Sequence, residues 1–115
     1  MDYRLIIGFL LFIAAQTTAW YQLNSQFVWE FWKDKAILAS LVFSVPVSLL
    51  FWYGTKNIYD ASEALWTCRF LAFSSGMIVF PVLTWIHLHE SPFSLKTMLC
   101  LILACIIITI QVVMK

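Results

Sequence analysis

The sequence predicts an all-α fold, an integral membrane bundle of four transmembrane helices that forms one domain over residues 1–115. Hydrophobic residues make up 63% of the chain and charged residues only 11%, whereas a soluble domain carries about 25% charged residues. Four apolar stretches each reach the roughly 20 residues that a helix needs to cross a bilayer. The composition excludes a disordered chain. The net charge of +1, without a basic stripe, excludes a nucleic-acid-binding protein.

The first predicted helix covers residues 3–23 and carries a polar patch at Gln16–Thr18. Arg4 and the apolar run after it resemble the core of a signal peptide. Because the apolar stretch continues well beyond such a core, an uncleaved membrane helix is the better interpretation. Gln16 and Trp20 share one helix face. A buried glutamine there either binds a ligand or bonds to a neighbouring helix.

The second predicted helix covers residues 36–53, and Gly54 is the expected C-cap. Residues 54–63 would then form a connection, and Asp60 or Ser62 would be the N-cap of the next helix. Small polar residues recur at every fourth position of the second helix, a spacing typical of helix packing. These residues are Ser40, Ser44 and Ser48.

The third predicted helix covers residues 64–86 and contains an ionisable residue, Arg69. Such a residue within a membrane span usually faces the bundle interior or a cavity. A long side chain can instead extend back to the interface, and the sequence leaves both alternatives open. Gly76 and Pro81 permit a kink, because proline removes a helical hydrogen bond. We therefore predict a hinge at these two positions.

The fourth predicted helix covers residues 95–114 and is the most apolar, with Ser94 as its expected N-cap. Tryptophan and tyrosine cluster near the ends of the predicted helices, as in the aromatic belts of membrane proteins. The belt predicts anchoring at the headgroup level, and some of its members could also line a ligand site. Its members are Trp20, Tyr21, Trp29, Trp32, Trp52, Tyr53, Tyr59 and Trp85.

The positive charges show almost no bias between the two sides of the predicted bundle. Four crossings place three cations on each side, although Lys and Arg in short loops normally set orientation. Two alternatives therefore stay open: dual topology, in which chains insert in both directions and pair as an antiparallel homodimer, and a single orientation fixed by other features. The two sets are Arg4, Lys56 and Lys115 against Lys33, Lys35 and Lys96.

No residue pattern points to catalysis, a cofactor or a metal. Cys68, Cys100 and Cys105 lie in apolar runs, which favours reduced, buried thiols. His87 and His89 are too close in sequence to share one helix face, so they do not form a metal pair. The sequence contains neither a nucleophile motif nor a phosphate-binding loop. We expect a protein that is not an enzyme and holds no cofactor or metal.

Five short sequence patterns stand out along the four predicted helices: Gln16-Thr17-Thr18, Phe73-Ser74-Ser75-Gly76, Trp85, residues 87–92 and Ser94-Leu95-Lys96. With these patterns the chain resembles the small multidrug resistance family, within the drug/metabolite transporter superfamily, over nearly its whole length. The resemblance implies a homodimer that exports small molecules by alternating access. The family's glutamate in the first helix is missing, because no acidic residue lies between Asp2 and Glu30. Arg69 favours an anionic or neutral solute instead.

These observations predict a small transporter in the cell (inner) membrane, with the lipid bilayer, a second copy and a small solute as its partners. The alternative is a non-transporting assembly subunit or a membrane-permeabilising oligomer, in which the small-residue faces serve packing alone. The predicted substrate-binding residues are Gln16, Trp20, Tyr53, Glu63, Trp66, Arg69 and Phe73, with Gly76 and Pro81 as the hinge.

Overall fold

The computed structural model describes residues 3–114, with Val112 described by its backbone alone. Residues 1–2 and Lys115, one of the positive charges counted above, lie outside this range. The described part is all-helical, which confirms the all-α part of the prediction, and a short 3-10 helix at Glu30–Trp32 joins the first two helices. The four α-helices are α1 (Tyr3–Val28), α2 (Ala36–Ser62), α3 (Leu65–Leu88) and α4 (Leu95–Val113).

The bundle is flat, with one dimension much shorter than the other two, and α1 and α3 lie at its centre. Its Cα atoms extend over 47 × 35 × 18 Å. Short connections make consecutive helices antiparallel. α1 packs against both α2 and α3, and α4 packs against α3. Most of the buried side chains accordingly belong to α1 and α3, so this central pair holds the interior of the molecule.

The outer surface is strongly apolar. Ile37 and Leu95 are 78% and 77% exposed, and many other large hydrophobic side chains are similarly open. Water-soluble proteins rarely expose continuous apolar patches above a few hundred Å². Within the described range, three helices, α1, α2 and α3, are long and apolar enough to cross a membrane, and α4 is a shorter apolar helix. These features fit an integral membrane protein.

Two helices extend beyond their predicted ends. α1 continues to Val28 and α2 to Ser62, although the sequence becomes polar after residues 23 and 53. Hydropathy indicates where the hydrocarbon ends, whereas a helix continues as long as its backbone hydrogen bonds form. The polar last turns therefore remain helical in the headgroup region.

Gly54 lies inside α2, so the prediction that it caps this helix is wrong. It is buried where α1 and α2 cross. A Cβ atom at Gly54 would lie 2.7 Å from the Phe12 ring and 3.2 Å from the backbone oxygen of Gly8. A Cβ atom at Gly8 would likewise collide with Ile58 and would lie 2.9 Å from the Gly54 oxygen. The two glycines bring the helix backbones together, as small residues do in membrane proteins.

The connection between α2 and α3 is much shorter than predicted. Ala64, rather than Asp60 or Ser62, is the N-cap of α3, and no side chain caps it. Ser62 belongs to α2, where its hydroxyl donates to the Ile58 carbonyl at 2.7 Å. The prediction for Ser94 is confirmed, because its side chain accepts a hydrogen bond from the Thr97 N–H at the start of α4.

Glycine at the ends of α2 and α3 is expected to stabilise the protein. Glu63 and His89 have φ angles of 57° and 59°, in the left-handed region that disfavours residues with a Cβ atom. Glu63→Gly and His89→Gly should each raise the free energy of unfolding by about 1 kcal/mol, measured by unfolding in detergent micelles. Asn57→Gly, within α2, is the control and should lower it by about 1 kcal/mol.

Candidate functional site

A small cavity lies between α1 and α3 beside Gln16. Its volume is about 120 Å³, well above the ~10–15 Å³ that one water molecule requires. The cavity opens onto the protein surface, because Leu23 and Phe80 at its edge are 66% and 54% exposed. Its walls are Gln16, Ala19, Trp20, Leu23, Asn24, Gly76, Val79 and Phe80.

Gln16 is the polar centre of this cavity. Its side-chain Nε2 donates a hydrogen bond of 2.9 Å to the Ala72 carbonyl of α3. Gly76 makes room for this side chain, because a Cβ atom at Gly76 would lie 3.0 Å from Gln16 Cδ and Nε2. This bond uses the side-chain NH2 group of Gln16. No partner of the amide oxygen is shown within the described range, so this oxygen is a further acceptor beside the cavity.

The cavity extends from the middle of α1, at Gln16, towards the end of that helix, at Asn24. Gln16 follows Tyr3, the start of α1, by 13 residues, which is about 20 Å at the α-helical rise. Gly76 follows Leu65, the start of α3, by 11 residues, which is about 16 Å. Both distances are close to half the length of the helix concerned. Gln16 and Gly76 therefore place the inner end of the cavity near the middle of both helices.

Trp20 forms part of the cavity wall on α1. It is only 4% exposed, and its indole Nε1 donates a 3.0 Å hydrogen bond to the Thr84 hydroxyl. Its ring stacks on His87 with centroids 5.4 Å apart. The Tyr21 hydroxyl lies 2.9 Å from His87 Nε2, and Trp29 packs against the same imidazole at 5.8 Å. This aromatic cluster holds the C-terminal half of α1 against α3.

Arg69 and Phe73 lie on the same face of α3 as the cavity. Positions 69, 73, 76 and 80 recur at helical spacing, and Gly76 and Phe80 line the cavity directly. Arg69 is exposed and Phe73 is 50% exposed. Arg69 is four residues from the start of α3, which is about 6 Å. It therefore lies near the membrane boundary, at the outer end of a stripe that leads to Gln16.

The structure places the other predicted residues away from the cavity. Tyr53 of α2 is 53% exposed and Trp66 is 73% exposed, with its ring stacked on Phe70. Glu63 is the exposed C-cap of α2. None of these three residues lines the cavity. At the predicted hinge, α3 runs through Gly76 and Pro81 without an interruption.

Sequence reasoning missed several residues of this region. Asn24 and Phe80 complete the cavity wall, and Thr84 supplies the partner of the Trp20 indole. A signal for Thr84 existed, because a buried tryptophan N–H usually requires an acceptor. Which hydroxyl group of α3 accepts this hydrogen bond depends on the axial position of α1 relative to α3. A single sequence does not give that position.

Among the described residues, every buried side-chain nitrogen and oxygen has a hydrogen-bond partner. Within the same range, no group of three or more His, Cys, Asp or Glu residues could hold a metal ion. No protein-family model matches the chain, and no curated protein or solved structure matches it either.

Proposed function

We propose that the chain is a small membrane transporter that acts as a homodimer and moves an anionic or neutral solute by alternating access. It would be a divergent member of the small multidrug resistance family. The observation that carries the proposal is the cavity that reaches mid-helix, which has a glutamine amide in its wall and an opening on the protein surface. Polar side chains at this depth in a membrane protein often mark the path of a solute.

The proposal includes a fourth crossing by α4. This helix has 19 residues, which correspond to about 28 Å at the α-helical rise. The hydrocarbon core is about 30 Å thick, so α4 is long enough when its ends reach the interface. Four crossings place both termini on one side of the cell (inner) membrane, as in the predicted topology.

The stripe on α3 supplies a route from the membrane boundary to the cavity. Arg69 is a fixed positive charge at its outer end, where it would attract an anion. Phe73 lies between Arg69 and Gly76 on this stripe, and its aromatic ring is half exposed. In one chain this route is open along its side, and a second copy would close it. An antiparallel partner would provide the same route from the opposite side of the membrane.

Gln16→Leu tests the proposed site directly. Leucine has nearly the same size but no hydrogen-bonding groups, so the initial rate of solute flux should fall by about tenfold or more. The measurement is efflux of entrapped radiolabelled lactate, succinate and sorbitol from proteoliposomes. Gln26→Leu is the matched control, because Gln26 is exposed and its Nε2 bonds locally to the Leu23 carbonyl at 2.8 Å. Equal efflux from both variants and wild type would refute the site.

Arg69→Ala tests the route rather than the cavity. Loss of its charge should reduce lactate and succinate efflux by about tenfold, while sorbitol efflux should change much less. Lys96→Ala is the control, because Lys96 is an exposed cation at the start of α4. The dimer, measured by crosslinking, should survive in both variants. Unchanged anion efflux in Arg69→Ala would remove this residue from the mechanism.

A non-transporting assembly subunit is the second candidate. It is favoured by the complete pairing of the buried polar side chains in the described range, because such pairing is also what a purely structural interface requires. The same efflux measurement separates the two functions. An assembly subunit would show no efflux above that of protein-free liposomes for any of the three solutes.

A further inference from the structure

A second and larger cavity lies on α2, on different residues from those of the Gln16 cavity. It is a groove of about 690 Å³ that runs along α2 and reaches the first residue of α3. It shares no lining residue with the cavity between α1 and α3. Its walls are Val47, Ser48, Phe51, Trp52, Thr55, Lys56, Tyr59, Asp60 and Leu65.

The groove spans one leaflet of a bilayer. Val47 and Asp60 are 13 residues apart on α2, which corresponds to about 20 Å. One leaflet with its headgroups is about 20–23 Å thick, half of the ~40–45 Å of a whole bilayer. Asp60 is two residues from the end of α2, so the groove begins at the headgroup level and ends near the midplane.

The groove lining changes from apolar at its deep end to charged at its outer end, in the same order as a lipid changes from its acyl chains to its headgroup. Val47 and Phe51 make the deep end apolar, and Trp52 and Tyr59 add the amphipathic rings that favour the interface. The outer end carries two opposite charges, Lys56 and Asp60, one helical turn apart. Within the described range, neither of these two residues is engaged in an ion pair with another side chain.

We propose that this groove binds one zwitterionic phospholipid of the surrounding bilayer. The Lys56 ammonium would hold the phosphate, the Asp60 carboxylate would hold the headgroup amine, and an acyl chain would lie along Phe51 and Val47. Charge complementarity selects this lipid class, because an anionic headgroup would satisfy Lys56 but would be repelled by Asp60. The lipid site does not depend on the proposed transport function, since the two cavities have separate walls.

Native mass spectrometry of the protein extracted from defined nanodiscs tests the proposal. The bilayer would contain equal parts of phosphatidylethanolamine, phosphatidylglycerol and diacylglycerol. We expect wild type to retain one phosphatidylethanolamine per chain. The double variant Lys56→Gln/Asp60→Asn should retain it about tenfold less, because two charge-assisted contacts are lost. The double variant Lys33→Gln/Asp34→Asn, altered in the α1–α2 connection, should behave as wild type.

Single variants test the assignment of the two charges. Asp60→Asn should raise the retained ratio of phosphatidylglycerol to phosphatidylethanolamine, whereas Lys56→Gln should reduce retention of both. Ser48→Trp, which fills the exposed wall of the groove, should reduce retention without altering the charges, with helicity checked by circular dichroism.

Equal retention in wild type and the Lys56→Gln/Asp60→Asn variant would overturn the proposal. A wild-type dimer that retained no lipid and crosslinked through this groove would also overturn it, because a second copy would then be the occupant.

Discussion

Replacing Gly54 with leucine is expected to separate α1 from α2 and to lower the free energy of unfolding by about 3 kcal/mol or more. Overfilling a packed interface usually costs about 1–3 kcal/mol, and here a larger effect is expected because backbone atoms limit the space. A Cβ atom alone would lie 2.7 Å from Phe12 and 3.2 Å from the Gly8 oxygen. The remaining atoms of leucine would have to displace the whole α1 backbone. Because α1 packs against both α2 and α3, this displacement affects the centre of the bundle.

Unfolding in detergent micelles, followed by circular dichroism, measures this effect. Ala14→Leu is the matched control, because Ala14 lies on an exposed face of α1 and should tolerate the same side chain within about 0.5 kcal/mol. Gly54→Ala should fall between wild type and Gly54→Leu, because the Phe12 ring can move farther than a backbone oxygen can. If Gly54→Leu and Ala14→Leu were equally stable, the close crossing of α1 and α2 would be refuted.

The membrane class and the all-helical fold could be predicted from the sequence because they depend on composition and segment length. A bilayer requires every backbone polar group to bond within its own helix, so a long apolar stretch has few alternatives to an α-helix. Glycine is harder to interpret. Gly54 follows an apolar run, a position typical of a C-cap, yet the same absence of a side chain also permits a close helix crossing. Only the position of Gly8 on the neighbouring helix distinguishes the two roles.

The candidate site could be predicted in part. Gln16 and Trp20 are polar or amphipathic residues on one face of an apolar helix, and the structure does place both beside one cavity. Tyr53 was predicted from its position near a helix end, where aromatic residues anchor equally well, and Trp66 from its helical spacing to Arg69 and Phe73. Both are mostly exposed. The partners of Gln16 and Trp20 on α3 could not be predicted, because they depend on the axial alignment of two helices.

Trp20→Ala is expected to lower the free energy of unfolding by about 3–5 kcal/mol, the usual range for truncating a large buried aromatic residue. Trp20 is 4% exposed, and its removal would join the void it leaves to the cavity beside Gln16. It would also remove the ring on which His87 stacks. The measurement is again unfolding in detergent micelles. Trp52→Ala is the control, since Trp52 is 71% exposed and should cost about 1 kcal/mol or less.

Thr84→Val separates the hydrogen bond from the packing. Valine fills the same space as threonine but leaves the Trp20 indole N–H without its acceptor, so we expect a loss of about 1–3 kcal/mol. Thr18→Val removes a comparable hydroxyl that bonds only within α1, at 3.0 Å to the Ala14 carbonyl, and should have little effect. If Thr84→Val were as stable as Thr18→Val while Trp20→Ala remained severely destabilised, Trp20 would hold α1 against α3 by packing alone. If Trp20→Ala were no worse than Trp52→Ala, the indole would not be buried between these helices, and the assignment of Trp20 to the wall of the cavity beside Gln16 would be refuted.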